Sequence, residues 1–266
     1  MTDYSKMFNR ANGAAFDDAE VAAEYIHRAD YPADLYEKVV GLQPGRTRAL
    51  DLGCGPGKIA IRLAEDFGAV DAIDPSAPML EAARALGAHR RNIDWRLGMA
   101  ETASRSGPYD LVTAGASLHW MDHSIVFPRL FDSMSPTGLI AVISVDEAPL
   151  DAWDGLWRTF LEDWLRRVGQ TPDWPGRKVV GALHEPWMDI LGREVITHTV
   201  RQSAADFAAA QHARATWTRS RMGADLAAAF DEDLSKRLKP HEKDGLVSFE
   251  VTCTLLWGRP RRTIQS

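Results

Sequence analysis

The stretch "RALDLGCGPGKIAIRLAEDFG", Arg48–Gly68, decides the fold. A short apolar run ends at Gly53, glycines alternate with other residues as far as Gly57, and an apolar helical pattern begins at Lys58. Glycines at such a junction let the backbone turn sharply and approach a ligand without a Cβ in the way. A strand, a glycine loop and a helix in this order predict the first unit of a nucleotide-binding α/β domain.

The segments that follow continue the alternation of strands and helices. "AVDAID" (Ala69–Asp74) has the character of a strand, and the helix after it is predicted to begin at an N-cap, Ser76, and to stop at Gly87. Three more strand-like runs are "IDWRLGM", "YDLVTAGA" and "TGLIAVISV", with the helix "HSIVFPRLFDSM" between the last two. Strands joined by single helical crossovers pair in parallel, so a sheet covered by helices on both faces is predicted.

The pattern changes after Val145. Residues 147–192 and 203–240 look largely helical, with strand-like segments at Arg193–Val200 and Leu246–Gly258. These two strands would complete a doubly wound, seven-stranded, mostly parallel α/β sheet, and the helical segments would cap its ligand edge. The predicted organisation is a helical lead-in (1–45), a core (46–146 and 193–266) and a helical cap (147–192 and 203–240).

Composition excludes several classes of function. The net charge of −6 provides no broad basic surface for a nucleic-acid backbone. The longest apolar run, "GLIAVISV", is too short for a bilayer, and the first ten residues lack the apolar core of a signal peptide, so no membrane partner and a cytoplasmic location are expected. Two cysteines, Cys54 and Cys253, make no disulfide framework, and no Cys/His spacing predicts a metal site.

The glycine spacing departs from the dinucleotide fingerprint. A G-x-G-x-x-G motif beginning at Gly53 would require glycine where Lys58 stands. This frame weakens the assignment to an NAD(P)-dependent oxidoreductase, which remains the alternative. Asp74 ends the second strand, 23 positions after Asp51. A carboxylate there can accept hydrogen bonds from both ribose hydroxyls of a nucleoside, or it can simply be an acid at a helix N-terminus.

Five motifs in this order resemble those of class I S-adenosylmethionine-dependent methyltransferases. They are "ALDLGCGPGKIAIRLA", "VDAIDPSAPMLEAAR", "RLGMAET", "YDLVTAGASLHWMD" and "PTGLIAVIS", and they span about Arg48–Val145. The chain is most similar to the small-molecule branch that includes trans-aconitate methyltransferase-like enzymes. The resemblance implies a Rossmann-like fold, S-adenosyl-L-methionine as cofactor with S-adenosyl-L-homocysteine as product, and a small-molecule acceptor whose carboxylate or hydroxyl oxygen takes the methyl group.

The resemblance also implies which residues contact the cofactor. The glycine loop would pack against the methionine part, Asp74 would bind the ribose, and Met99–Glu101 would read the adenine. Arg28 in "EYIHRADYP" would either pair with the methionine carboxylate or be a solvated arginine; Ala29 stands where many relatives have proline. The expected cofactor-binding set is Arg28, Gly53, Cys54, Gly55, Gly57, Asp74, Pro75, Met79, Met99, Ala100, Glu101 and Ala114.

"AGASLHWMD" (Ala114–Asp122) follows the fourth strand, at the edge of the sheet where ligands bind. His119 is the candidate catalytic residue: it could be a general base, a positioning group or a structural histidine. A carboxylate acceptor needs no base, whereas a hydroxyl, thiol or amine profits from one. Three tryptophans share one face of the first cap helix and indicate either a core or a pocket wall. The expected substrate-binding set is His119, Trp120, Trp153, Trp157 and Trp217.

The cap also contains many arginines. Most should be solvated, but one that points inward could anchor an acidic substrate through its guanidinium. These candidates are Arg158, Arg166, Arg167, Arg214, Arg219 and Arg221. A remaining alternative is a macromolecule-modifying or non-catalytic S-adenosylmethionine-binding module; the acidic charge and the lack of an N-P-P-Y-like motif after strand four argue against it. The oligomeric state stays open.

Overall fold

The computed structural model describes residues 14–149, 153–169 and 184–263, so parts of the predicted lead-in (1–45) and cap segment (147–192) lie outside the described residues. The strands are Arg48–Leu52 (β1), Ala69–Asp74 (β2), Ile93–Leu97 (β3), Tyr109–Gly115 (β4), Met134–Pro149 (β5), Met188–Gln202 (β6) and Val247–Pro260 (β7). The α-helices are Ala19–Glu24 (α1), Ala33–Gly41 (α2), Lys58–Leu63 (α3), Ala77–Leu86 (α4), His123–Ser133 (α5), Asp154–Arg167 (α6), Ala204–His212 (α7), Arg219–Met222 (α8) and Ala224–Leu238 (α9). No helix within these described ranges is long and apolar enough to cross a membrane.

The seven strands form one sheet in the order β3-β2-β1-β4-β5-β7-β6. Strands β1 to β5 pair in parallel, and β7 runs antiparallel to both of its neighbours. The predicted doubly wound, mostly parallel sheet is therefore confirmed. Because strand order reverses beside β1, the carboxyl ends of β1, β2 and β4 meet where such sheets bind ligands.

Local sequence signals set the bounds of the second crossover. Strand β2 spans the predicted residues, and helix α4 begins after Ser76, whose hydroxyl accepts a hydrogen bond from the backbone N–H of Met79. Gly87 ends the same helix. An N-cap serine and a following glycine satisfy the unpaired backbone groups at the two ends of a helix. This crossover holds Asp74 and the first turn of α4 at the edge of the sheet.

Two segment bounds in the second half of the chain differ from the prediction. Strand β5 continues to Pro149, and β6 begins at Met188, so both ends of the predicted helical segment 147–192 are strand. In β6 the register shifts between Ile190 and Gly192, and a Cβ on Gly192 would lie 2.1 Å from the Trp257 ring. This bulge interrupts the alternation that marks a strand in the sequence.

The cap has an aromatic core of its own that joins the core of the sheet. The ring of Phe230 in α9 lies 5.0 Å from Phe160 and 5.1 Å from Trp164, both in α6. The Trp164 indole also donates a hydrogen bond to Asp233 (2.9 Å). The same apolar cluster includes β5 and β7 residues such as Ile143. The cap core and the core of this half of the sheet therefore form one continuous apolar cluster.

Candidate active site

A cavity of about 320 Å³ lies at the carboxyl ends of β1, β2, β3 and β4. Its volume falls in the range of small-molecule sites. The sequence-predicted residues that line it are Gly53, Gly55, Asp74, Pro75, Met79, Met99, Ala100, Glu101 and Trp120. Residues from four separate loops therefore meet around one space, although they come from positions spread over about seventy residues of the chain.

The loop after β1 exposes backbone to this cavity. Gly53 has φ +64°, and a Cβ there would lie 2.5 Å from the Cβ of Ser117, so the loop packs tightly on the segment after β4. Gly55 has φ +52°, and a Cβ there would meet no atom of the described residues within 4 Å. Since Gly55 lines the cavity, its missing Cβ leaves space for a ligand against the backbone.

Asp74 is held rigidly at the end of β2. One carboxylate oxygen accepts the N–H of Gly55 at 2.7 Å, and the other accepts the N–H of Ser76 at 2.9 Å. The residue is only 7% exposed, and this burial raises the pKa of Asp74 although the two N–H bonds oppose the shift. Each carboxylate oxygen can accept a further hydrogen bond, so the pair can take two neighbouring hydroxyls of a ligand.

Glu101 provides a second buried carboxylate in the cavity wall, after β3. Its side chain accepts the backbone N–H of Asp122 at 2.9 Å, and the residue is 6% exposed. Met79 and Met99 line the same cavity. Soft thioether side chains suit a flat ring, and a carboxylate beside them suits an amino group on that ring.

His119 and Trp120 form a 3-10 turn shortly after β4. Trp120 lines the cavity, and its ring centroid lies 4.7 Å from that of His119 and 6.2 Å from that of Phe16. Burial lowers the pKa of His119 to about 4, with a smaller contribution from His123. The imidazole is therefore neutral near pH 7 and can accept or donate a hydrogen bond there.

Several predicted residues do not line the main cavity. Trp153 and Trp217 are 3% and 1% exposed and belong to the cap core, so their assignment to the substrate wall is corrected. Ala114 is fully buried within β4 and does not line the cavity. Gly57 starts α3 and packs on Trp95, where a Cβ would lie 2.5 Å from the ring. The close approach of the Trp95 ring explains why position 57 is a glycine.

The remaining predictions fall beside the cavity. Cys54 is 8% exposed within the glycine loop and belongs to the hydrophobic core, as expected for a packing residue. Arg28 pairs with the buried carboxylate of Glu147 at 3.1 Å. Trp157 lines a second, much smaller cavity next to Glu147 and Arg214. The arginine and the tryptophan thus belong to a separate polar cluster.

Sequence reasoning missed some residues of the cavity wall. The N-terminal segment contributes two of them, and the turn after β4 contributes others. No local motif marks the first group, whereas proximity to a predicted strand end could have identified the second. The missed residues include Phe16, Asp17, Ser117 and Met121.

Comparison with known proteins gives a partial match. Residues 49–138 match the family described as "Methyltransferase domain". The chain is 36% identical over 158 residues to trans-aconitate 2-methyltransferase from Rhizobium leguminosarum bv. trifolii, covering 53% of this chain and 59% of that protein. It is 30% identical over 141 residues to the protein of the same name from Streptomyces coelicolor, covering 50% of this chain and 46% of that protein. The chain thus spans about half the length of these relatives.

The fold extends over more of the chain than the sequence match. A protein from Anaeromyxobacter dehalogenans that is classed among type II methyltransferases superposes with a TM-score of 0.66. The superposition covers 90% of this chain and 99% of that chain, at 23% identity. This likeness supports the fold of the sheet and the cap together.

Proposed function

We propose that the chain, whose residues 49–138 match the methyltransferase domain family, transfers a methyl group from S-adenosylmethionine to a small-molecule acceptor. The observation that carries the proposal is the cavity of about 320 Å³ lined by two buried carboxylates, Asp74 and Glu101, which lie at the carboxyl ends of the neighbouring strands β2 and β3. The methyltransferase match disfavours the oxidoreductase alternative.

The cavity wall offers hydrogen-bond acceptors and apolar side chains that suit S-adenosylmethionine. Asp74 would hold the ribose hydroxyls, while Glu101 and the two methionines would hold the adenine. The open space over Gly55 would take the part of the molecule that runs along the glycine loop. A Cβ at that position would fill this space, so the residue type itself fits the group.

When bound, the cofactor supplies a methyl group on a positively charged sulfur, which an acceptor can attack in line. The protein contributes to this transfer by aligning the acceptor with the methyl group and by excluding water. Trp120 and Phe16 pack edge to face at 6.2 Å and close one side of the cavity. His119 lies beside them as a neutral group that orients the acceptor through a hydrogen bond.

We further propose that the acceptor atom is a carboxylate oxygen, and that trans-aconitate, the molecule in the names of both relatives, is the first acceptor to test. A carboxylate is already ionised near pH 7 and needs no base. The lowered pKa of His119 supports this choice, since an imidazole with a pKa of about 4 is a weak base for a hydroxyl.

Calorimetric titration tests the cofactor part of the proposal. S-adenosyl-L-homocysteine is expected to bind the purified chain with a one-to-one stoichiometry, and NAD⁺ and NADP⁺ are expected to give no heat of binding. Binding of a nicotinamide dinucleotide without binding of S-adenosyl-L-homocysteine would contradict the proposal.

A further inference from the structure

Two arginines share one buried carboxylate next to the main cavity. Glu147, near the end of β5, has a side chain that is only 6% exposed. One carboxylate oxygen accepts a hydrogen bond from Arg28 at 3.1 Å, and the other accepts one from Arg214 at 2.7 Å. We call these three side chains the arginine–glutamate cluster. Its members lie 119 and 67 positions apart in the sequence, so only the fold brings them together.

The arginine–glutamate cluster carries one excess positive charge. Burial would raise the pKa of Glu147, but Arg214 and Arg28 outweigh it and lower that pKa, so the carboxylate is ionised. Lys58 donates a hydrogen bond to the backbone carbonyl of Arg28, and its positive charge is balanced by Asp30 at 3.7 Å, so this pair leaves the excess unchanged. A partly buried charge without a counter-ion is costly, and an anionic ligand would remove that cost.

Two buried polar atoms, one in the arginine–glutamate cluster and one beside it, have no hydrogen-bond partner among the described residues. One is Nε of Arg214, a donor, and the other is Oε1 of Gln211, an acceptor on a residue that is 1% exposed. Both residues line the second cavity with Trp157 and Glu147. Its volume of about 10 Å³ is enough for roughly one water-sized group. Such groups rarely stay unpaired in a folded protein.

The cluster is one aromatic ring away from the main cavity. Tyr25 lines that cavity, and the guanidinium carbon of Arg28 lies 5.6 Å from the centre of its ring. Arg214 keeps 34% of its side chain exposed, against 19% for Arg28. Arg214 is therefore the member of the cluster that can still reach a ligand.

We propose that Arg214, positioned by Glu147, binds a carboxylate of the methyl acceptor and so selects anionic acceptors. The proposal rests on the proposed function, because the acceptor must enter beside the main cavity. Glu147 is a positioning residue: it fixes one side of the guanidinium and leaves the other N–H groups for the ligand. The carboxylate of the cofactor has the same chemistry and is the alternative source, which the experiment separates.

The test is calorimetric titration of trans-aconitate into protein saturated with S-adenosyl-L-homocysteine. We expect Arg214→Gln to weaken trans-aconitate binding by about 30-fold or more, as for loss of a charge-assisted pair, while affinity for S-adenosyl-L-homocysteine stays within about twofold. Arg214→Lys, which keeps the charge without the planar fork, should recover part of the loss. Arg158→Gln removes an equal charge from the same cap at a side chain that is 71% exposed, and it should bind like the wild type.

Three results would overturn the inference. One is unchanged trans-aconitate affinity in folded Arg214→Gln and Arg214→Lys. Another is a loss confined to S-adenosyl-L-homocysteine, which would assign the arginine to the cofactor. The third is wild-type protein that binds S-adenosyl-L-homocysteine but none of a panel of mono-, di- and tricarboxylates. Absence of S-adenosyl-L-homocysteine binding in the wild type would instead refute the proposed function. Thermal unfolding of each variant checks folding, and Arg214→Lys carries the test if the glutamine variant does not fold.

Discussion

At the scale of single residues, Asp74 has the strongest connection between sequence pattern and geometry. Its two oxygens accept hydrogen bonds from the N–H groups of Gly55 and Ser76, and the residue lines the cavity. The residue therefore stiffens the glycine loop and offers acceptors to a ligand at the same time.

We expect Asp74→Ala to weaken S-adenosyl-L-homocysteine binding by about 10- to 100-fold, since two hydrogen bonds to a charged group would be lost. Calorimetry measures the change. Asp94→Ala is the control, because that side chain is 59% exposed on β3. Equal affinity of the Asp74 variant and the control would refute the ribose assignment.

His119 is the residue whose role the structure narrows most. Its pKa of about 4 means that the ring does not change charge between pH 5.5 and 8. We expect His119→Gln to lower kcat by about 10- to 100-fold through misalignment of the acceptor while cofactor affinity stays unchanged. His89→Gln, at an exposed position, is the control.

The pH profile of kcat separates the roles of His119. An orienting neutral imidazole predicts no inflection near pH 6.5 in the wild type. An inflection there that disappears in His119→Gln would identify the histidine as a titrating base and contradict this account. Unchanged kcat in the variant would leave it a structural role only.

At the scale of elements, two glycines of the same loop have different roles: Gly53 packs against protein, and Gly55 lines the ligand cavity. Gly53→Ala puts a Cβ 2.5 Å from Ser117 at φ +64°, so we expect a loss of several kcal/mol of unfolding free energy. Gly55→Ala meets only the strain of its positive φ, about 1 kcal/mol, but places a methyl group in the ligand space. Urea unfolding should therefore show the larger loss for Gly53→Ala.

Titration with S-adenosyl-L-homocysteine measures the second effect, the one on ligand binding. Gly55→Ala should remain folded and lose affinity for S-adenosyl-L-homocysteine by about tenfold or more, because the added methyl group displaces part of the ligand. Wild-type affinity in Gly55→Ala would mean that the loop does not contact the cofactor.

Elements with local signals could be predicted from the sequence, and those determined by tertiary contacts could not. Strand β2 and the cap at Ser76 follow from a short apolar run and a single side chain. Strand β6 begins five residues earlier than predicted, because its bulge at Gly192 depends on Trp257, far away in the chain. A packing contact of this kind leaves no local pattern.

In the candidate site, too, residues at motif spacing could be predicted from the sequence, and residues that meet only through tertiary contacts could not. Asp74 and Glu101 follow strands at motif spacing, so their meeting could be predicted. The arginine–glutamate cluster could not, because Arg28, Glu147 and Arg214 come from three distant segments. His212 likewise meets its hydrogen-bond partners only in the fold, the carbonyl of Trp217 at 2.6 Å and the carboxylate of Asp231 at 2.8 Å.

At the scale of the whole molecule, buried titratable groups make stability depend on pH. His184 is 2% exposed, and burial, with His123 and His119, lowers its pKa to about 3. The unfolded chain takes up this proton near pH 6.5 and the folded chain does not. The contribution of His184 to unfolding free energy is therefore fully present above about pH 6.5 and falls as the pH drops towards 3.

Asp51 gives the unfolding free energy the opposite dependence on pH. Burial raises its pKa to about 7, although the hydroxyl of Thr113 opposes the shift. The contribution of Asp51 to unfolding free energy is therefore fully present below about pH 4 and is lost as the pH rises through 7.

Comparing the wild type with a His184 variant isolates the pH dependence that His184 contributes. Between pH 6 and 4.5 we expect His184→Gln to lose less unfolding free energy than the wild type, by up to about 1.4 kcal/mol per pH unit in urea titrations. Parallel pH curves would contradict the burial of a neutral His184.

The central claim is that the cavity at the strand ends serves methyl transfer. The most direct test is incubation of the wild-type chain with S-adenosylmethionine carrying an isotope-labelled methyl group and with trans-aconitate, followed by mass spectrometry of the small molecules. We expect a labelled methyl ester of the acceptor together with S-adenosyl-L-homocysteine, and loss of both in Asp74→Ala. If the wild type binds S-adenosylmethionine but labels neither trans-aconitate nor any other small carboxylate or hydroxyl compound, the claim is contradicted.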